Sequence, residues 1–323
     1  MSATKEDSYL TKLAQTCAKE GCWGTLYLEA DKCDKKRLTA TGVQSVFEAL
    51  ASKEKSPANG IKVSGYFDES KPSLDAIGEY LARAPVKRLQ FEHSDLHGET
   101  AALLFKAVGN SSSMKELNVK RCGLDDTAAK HLAEMIESTT SLKKLLLRNN
   151  TFTAVGSKLI AAALAKNSSI KVVDLSVYVN ESGSSYDSDD DHFQMGDDGA
   201  LAFAECLPSS AITKLKLNSH KISDIGGEAL AKVGGKLREI GLGGNRHTDK
   251  TFTAWAETWK GSDTLECFDL QSKHITDEGL KAWVDAARAQ DDPNLEMLEL
   301  GDTIHDEAMT ELFQVLGVDS SSD

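Results

Sequence analysis

Apolar residues recur along this chain at a fixed spacing of 28 residues. The clearest segments are residues 86–91, 114–119, 142–147 and 170–175, each with apolar residues at its first, fourth and sixth places and mostly polar residues between them. Such alternation is typical of a strand with one buried face. A repeat of this length predicts a solenoid, in which each repeat buries its apolar side against its neighbours.

A second pattern follows each predicted strand. It is an apolar residue, then one to three of Ser, Thr, Asp or Gly, then apolar residues at helical spacing, as in Leu124-Asp125-Asp126 followed by Leu132 and Ile136. Small oxygen-bearing side chains accept hydrogen bonds from the free N–H groups at a helix start, so this pattern predicts a capped helix. The two patterns together therefore predict one strand and one helix per repeat. In the first two repeats, residues 38–42 and 74–78 are the predicted helix starts.

Residues 114–124 carry the pattern Leu-x-x-Leu-x-Leu-x-x-(Asn/Cys)-x-Leu, with Met114 at the first place and Cys122 at the ninth. Residues 142–152 repeat the pattern with Asn150 at the ninth place. This pattern resembles the ribonuclease-inhibitor-like class of leucine-rich repeat proteins, whose repeats of this length carry a full helix. The resemblance implies an α/β solenoid, or horseshoe, with a parallel β-sheet on the concave face and α-helices on the convex face.

Extending the same register predicts about ten repeats within one leucine-rich repeat domain, residues 23–316. Further repeats start at residues 212, 237, 265 and 295, whereas the first two repeats are degenerate. Residues 1–22 are expected to form an N-terminal cap helix, because terminal repeats need a cover for their apolar side. Residues 317–323 are expected to form a short polar tail.

An insertion interrupts the regular spacing. Two successive repeats start at residues 170 and 212, a step of 42 rather than 28, and the surplus is residues 180–193. This segment is acidic and rich in small residues, so we expect it to be poorly ordered. Its Asp187-x-Asp189-x-Asp191 spacing matches the start of an EF-hand calcium loop, but His192 stands where that loop needs glycine. A solvated loop is therefore preferred to a calcium site, and a partner-binding loop remains an alternative.

Composition narrows the possible function. The 323 residues carry a net charge of −13, which argues against bulk nucleic-acid binding. We expect neither a membrane span nor a secretory signal, since no long apolar run is present. Six scattered cysteines without paired spacing favour free thiols in a reducing compartment, so the cytoplasm is the expected location and the nucleus the other option.

Places three, five, seven and eight of each strand segment are expected to line the concave face. The candidate binding residues are taken from these places. This selection gives the candidate partner-binding residues Arg88, Lys120, Arg121, Lys144, Arg148, Asn149, Lys214, Lys216 and Asn218. The last three repeats instead contribute the acidic residues Glu239, Asp269, Glu299 and Asp302. A basic stretch on an acidic chain indicates a ligand with an acidic surface, and the alternative is that these side chains serve solubility alone.

No catalytic pattern is found in the sequence. It has no Gly-rich phosphate loop, no G-x-S-x-G, no H-E-x-x-H and no paired C-x-x-C, so we expect no enzyme activity, no cofactor and no metal.

The favoured function is a monomeric protein–protein interaction module or scaffold that binds a protein partner through the concave face. Two alternatives remain. The chain resembles Ran GTPase-activating proteins in repeat type and length, although no residue of theirs can be matched, and it could be a sensor or effector leucine-rich repeat protein.

Overall fold

The computed structural model describes residues 5–20, 22, 24–33, 37–52, 58–67, 70–177, 194–291, 293–300, 304 and 306–316. The chain divides into two compact units. The first unit consists of Met1–Thr151 and Lys166–Ile170, and the second of Phe152–Ala165 and Lys171–Asp323. Parallel strands alternate with helices in both units, which confirms the α/β class and the leucine-rich repeat fold. The predicted boundaries of cap, repeat domain and tail stay a prediction.

The first unit begins with a helix and then alternates strand and helix. Its strands are β1 (Thr25–Glu29), β2 (Arg37–Leu38), β3 (Gly60–Ser64), β4 (Tyr66–Phe67), β5 (Arg88–Glu92), β6 (Glu116–Lys120) and β7 (Lys144–Leu146). Its helices are α1 (Lys5–Glu20), α2 (Ala40–Ala51), α3 (Ser70–Arg83), α4 (Gly98–Gly109) and α5 (Asp126–Ser138). Strands β1, β3, β5, β6 and β7 pair in parallel in that order, and β2 pairs with β4.

The second unit continues the same alternation. Its strands are β8 (Val172–Asp174), β9 (Lys214–Lys216), β10 (Glu239–Gly241), β11 (Cys267–Asp269) and β12 (Met297–Glu299). Its helices are α6 (Ala154–Leu164), α7 (Gly196–Cys206), α8 (Asp224–Val233), α9 (Asp249–Lys260), α10 (Asp277–Arg288) and α11 (Asp306–Leu316). The five strands pair in parallel in chain order, and each helix packs against the next.

The strand leucines that define the repeat lie in the core, as predicted. All are at most 2% exposed: Leu117, Leu145, Leu147, Leu175, Leu215 and Leu217. In the second unit Trp255, Trp259 and Trp283 are fully buried. The rings of Trp259 and Trp283 stack with their centroids 5.4 Å apart. Burial of this apolar surface is the main favourable contribution to folding.

Most predicted helix starts are confirmed. The Thr39 hydroxyl accepts a hydrogen bond from the Gly42 N–H and caps α2, and Asp125 caps α5 through the N–H groups of Thr127 and Ala128. The predicted start at residues 74–78 is wrong, because that segment lies inside α3. Its apolar residues form the buried side of that helix. Its glycine suits a close approach, since a Cβ at Gly78 would lie 3.3 Å from the Ala107 Cβ.

Ninth-place asparagines connect the loops that follow the strands. The Asn150 Oδ1 accepts hydrogen bonds from the Cys122 and Leu124 N–H groups at 3.1 and 3.2 Å. Its Nδ2 donates to the carbonyls of Val119 and Leu147 at 2.7 and 2.8 Å. The side chain thus satisfies four buried backbone groups in two adjacent repeats, which explains why the ninth place favours asparagine.

Several predicted segments are partly or wholly outside the described residues. The insertion at 180–193, its calcium-like spacing and the tail at 317–323 all fall there, as does Trp23, the first residue of the predicted repeat domain. The N-terminal cap is described from residue 5 onward. There α1 packs against α2, and its residues Leu10 and Cys17 are buried.

Candidate protein-binding face

The side chains of the sheet divide between two faces. In β6, Leu117 and Val119 are buried, whereas Glu116, Asn118 and Lys120 are partly exposed. This alternation follows from the twofold period of a strand. We use the term open face for the side of each sheet formed by places three, five and seven of the repeats. The predicted binding residues at these places belong to this face.

In the first unit the pairing register aligns charged side chains across the open face. Arg88 of β5 is opposite Glu116 of β6, which is opposite Lys144 of β7. Glu92 is likewise opposite Lys120. The rows therefore mix positive and negative charge. This arrangement corrects the expectation of a stretch of one sign, because the place-three and place-seven carboxylates lie among the basic residues.

Ion pairs connect these rows. Glu92 lies 3.4 Å from the Lys120 Nζ and 3.5 Å from the Lys62 Nζ, and Lys144 lies 3.7 Å from Glu116. Partial burial acts to raise the pKa of Glu92, but the charges of Lys120 and Lys62 outweigh it and the pKa lies below its usual value. The carboxylate is therefore ionised near neutral pH, and its single negative charge partly compensates the two lysines.

The eighth place of the repeat has a left-handed backbone. His93, Arg121 and Asn149 have φ angles of 54°, 53° and 55°. Residues other than glycine adopt such angles uncommonly, and asparagine does so more readily than most. The Arg121 N–H still donates to the Arg148 carbonyl at 3.1 Å, so the inter-strand bonding continues through this turn. Candidate residues Arg121 and Asn149 are thus held at the carboxyl ends of the strands.

In the second unit one carboxylate joins two candidate lysines. Glu239 pairs with Lys214 at 2.7 Å and also with Lys216. Burial acts to raise the pKa of Glu239, but its hydrogen bonds to both ammonium groups prevail and lower that pKa. The two lysines retain 41% and 27% of their side-chain exposure, so they stay accessible to a partner.

Asn218 is the exception among the candidate residues, because it is 4% exposed rather than open to a partner. Its Nδ2 donates to the Asp269 carboxylate across β10. Glycines make this bridge possible, since a Cβ at Gly241 would lie 2.7 Å from the Asn218 Oδ1 and a Cβ at Gly243 would meet the Asp269 carboxylate. The glycine-rich run Gly241-Leu242-Gly243-Gly244 is the sequence signal that could have indicated this bridge.

Two histidines are buried in the second unit. The His220 Nε2 lies 2.9 Å from the Leu175 carbonyl, and the His247 Nε2 lies 3.1 Å from the Leu270 carbonyl. Burial lowers the pKa of His220 to about 4 and also lowers the pKa of His247. Both rings are therefore neutral at physiological pH. His220 also occupies the ninth place of its repeat, where its ring bonds a backbone carbonyl of the preceding repeat.

The cysteines are free thiols, as predicted, and most lie buried among the described residues. Burial raises the pKa of Cys206 to about 11 and that of Cys122 to about 12. Thiols of this kind stay protonated near neutral pH and are poor nucleophiles. In the part of the chain that the structure describes, no group of three or more His, Cys, Asp or Glu side chains is placed to hold a metal ion.

None of the helices within the described ranges is both long and apolar enough to cross a bilayer. The candidate residues thus present charged side chains on the parallel strands of each unit.

Comparisons with known proteins agree with the repeat assignment. The Leucine Rich repeat family matches residues 110–133 and 210–231. Two curated relatives, from Caenorhabditis elegans and Caenorhabditis briggsae, are each described as a protein phosphatase 1 regulatory subunit 37 homolog. Each is 26% identical over 157 residues, which cover 47% of this chain and 17% of the relative. The chain therefore matches a minor part of these relatives' length.

Solved structures are also similar to this chain. A yeast complex of Rad7 and Elc1 matches with 11% identity and a TM-score of 0.40, covering 90% of this chain and 88% of the other. The actin-binding site 2 of leiomodin-1 matches with 15% identity and a TM-score of 0.29, covering 45% of this chain and 63% of the other.

Sequence reasoning missed two sets of residues near the candidate face. One is the pair of carboxylates Glu92 and Glu116, which occupy the same strand places as the basic residues. The other is a row of lysines at the second place of successive repeats, Lys87, Lys115 and Lys143. Both sets become visible when all residues at the same place are compared across successive repeats, and not the basic residues alone.

Proposed function

We propose that this chain, whose repeats are leucine-rich repeats, is a non-enzymatic module that binds a protein partner through the open face of its sheets. The observation that carries the proposal is the set of charged, partly exposed side chains fixed in register on parallel strands of the first unit. Rigid strands present these side chains with little loss of conformational entropy on binding. The curated relatives are named as homologues of a phosphatase regulatory subunit, which is consistent with a role in protein assembly.

The partner contacts in this proposal are Arg88, Lys120, Arg121, Lys144, Arg148, Asn149, Lys214 and Lys216. The basic side chains favour a partner with an acidic surface, and the carboxylates among them supply specificity, because they repel a partner whose acidic groups are out of register. We further propose that the chain acts as a monomer in the cytoplasm or nucleus and without nucleic acid.

Affinity capture from native lysate tests the proposal. The bait is the full chain, and the comparison bait is the double variant Lys120→Glu/Arg148→Glu, which reverses two charges at the seventh place. A partner that binds through the open face should be depleted at least tenfold from the variant bait, as measured by quantitative mass spectrometry. Each recovered protein is then purified and tested for direct binding.

A second double variant, Lys130→Glu/Lys250→Glu, makes the same charge change on exposed helical residues and should retain the partner. Equal recovery on all three baits, with direct binding established, would place the contact elsewhere on the chain. Failure of the wild-type chain to bind any protein directly would contradict the proposed function itself.

A further inference from the structure

The second place of the repeat carries an exposed lysine in three successive repeats of the first unit. Lys87, Lys115 and Lys143 each directly precede a strand residue of the aligned row Arg88, Glu116 and Lys144. Backbone bonds hold them in register, because the Lys115 N–H donates to the Lys87 carbonyl and the Lys143 N–H donates to the Lys115 carbonyl, each at 2.8 Å. Since neighbouring strands lie about 4.8 Å apart, the three lysines form a row roughly 10 Å long.

These side chains line a groove of about 310 Å³ at the start of the strands, together with Arg88, Lys144, Asn59 and Glu116. We call the five basic residues Lys87, Arg88, Lys115, Lys143 and Lys144 the strand-start edge. Among the described residues that line the groove, Glu116 is the one acidic residue, and Lys144 pairs with it at 3.7 Å. Within the described residues, the ammonium groups of Lys87, Lys115 and Lys143 have neither an ion-pair nor a hydrogen-bond partner.

The corresponding places of the second unit are arranged differently. There Arg238 at the second place of one repeat pairs with Glu266 at the second place of the next, with the Arg238 Nε 3.1 Å from the carboxylate. Glu296 follows in the repeat after that. The second-place residues of that unit are Lys171, Thr213, Arg238, Glu266 and Glu296, whose formal charges sum to zero. The row in the first unit instead carries three positive charges, on a chain whose net charge is −13.

We propose that the strand-start edge binds a short acidic segment of the protein partner, with carboxylate or phosphate groups along the lysine row. An extended peptide of about three or four residues spans the row. A dense negative charge suits lysine, whose ammonium group acts as a compact point charge with three donors. This inference rests on the proposed function, since it identifies the chemistry that one part of the partner presents.

Fluorescence anisotropy with fluorescein-labelled hexaglutamate tests the proposal on the full chain. The triple variant Lys87→Glu/Lys115→Glu/Lys143→Glu should bind the peptide at least tenfold more weakly than the wild type, and wild-type binding should weaken as salt rises. A peptide of the same length with phosphoserines in place of glutamates shows whether phosphate or carboxylate is the preferred group. If the triple variant does not fold by circular dichroism, the corresponding Lys→Gln triple replaces it, with at least fivefold weakening expected.

The matched control is Lys130→Glu/Lys232→Glu/Lys250→Glu, which makes the same change in net charge on exposed helical residues and should stay within threefold of the wild type. Equal weakening in both triples would show a bulk charge effect and overturn the proposal. So would unchanged affinity in the edge triple, or no binding of either peptide by the wild type. The proposed function is tested separately: a wild-type chain that binds its protein partner but neither peptide contradicts this inference alone.

Discussion

Replacing Asn150 with alanine tests the physical basis of the repeat. Asn150 is 6% exposed, and its amide serves two backbone N–H groups and two carbonyls in adjacent repeats. Truncation leaves these four groups without a partner in the core. Each buried polar group that loses its partner costs about 1–3 kcal/mol, but some relaxation or water entry offsets part of the loss. We therefore expect the free energy of unfolding to fall by about 3–5 kcal/mol.

Urea unfolding followed by circular dichroism measures this change. The matched control is Asn118→Ala, which removes the same type of side chain from the partly exposed face of β6 and should change stability by less than about 0.5 kcal/mol. The slope of the transition is compared between variants, because a repeat protein can lose two-state behaviour. A loss below about 1 kcal/mol for Asn150→Ala, or an equal loss for the control, would refute the assignment of Asn150 as an inter-repeat connector.

Three further predictions concern the core residue Leu145, the buried His220 and Gly243, which follows β10. Leu145→Ala should lower the free energy of unfolding by about 2–5 kcal/mol in urea, because it leaves a cavity at a fully buried site. The lowered pKa of His220, about 4 against 6.5, means that its contribution to stability is present above pH 6.5 and is lost as the pH falls to 4. That loss is roughly 3 kcal/mol in unfolding measured against pH, and His220→Asn should remove it. Gly243→Ala should cost about 1–3 kcal/mol because its Cβ meets the Asp269 carboxylate, whereas thermal melts of Gly235→Ala, with its nearest neighbour 3.9 Å away, should match the wild type.

The repeat was predictable because its signal is summed over many copies. The apolar first, fourth and sixth places located the strands of both units, and short oxygen-bearing residues located most helix starts. The start of α3 was misplaced because Leu74 and Gly78 resemble a cap pattern. The burial of Leu74 and Ile77 shows instead that this segment forms the packed side of α3, which begins at Ser70. Local composition cannot separate these two roles, since both need a small residue beside an apolar one.

The candidate face was less predictable, because its charge depends on neighbours in space. Sequence alone located Lys120 and Lys144, but their carboxylate partners Glu92 and Glu116 emerge from the cross-strand register. The burial of Asn218 also depends on the neighbouring repeat that contains β10. There Gly241 and Gly243 have no side chains that would block the bridge from Asn218 to Asp269. Whether these residues contact a partner stays a prediction.

The dissociation constant of the purified partner tests the central claim most directly. Isothermal titration calorimetry compares the wild-type chain with Lys120→Glu/Arg148→Glu and with the helical control Lys130→Glu/Lys250→Glu. If the open face binds the partner, the first variant weakens binding at least tenfold, or about 1.4 kcal/mol, and the control stays within twofold. A first variant that is folded and binds as tightly as the wild type would contradict the claim.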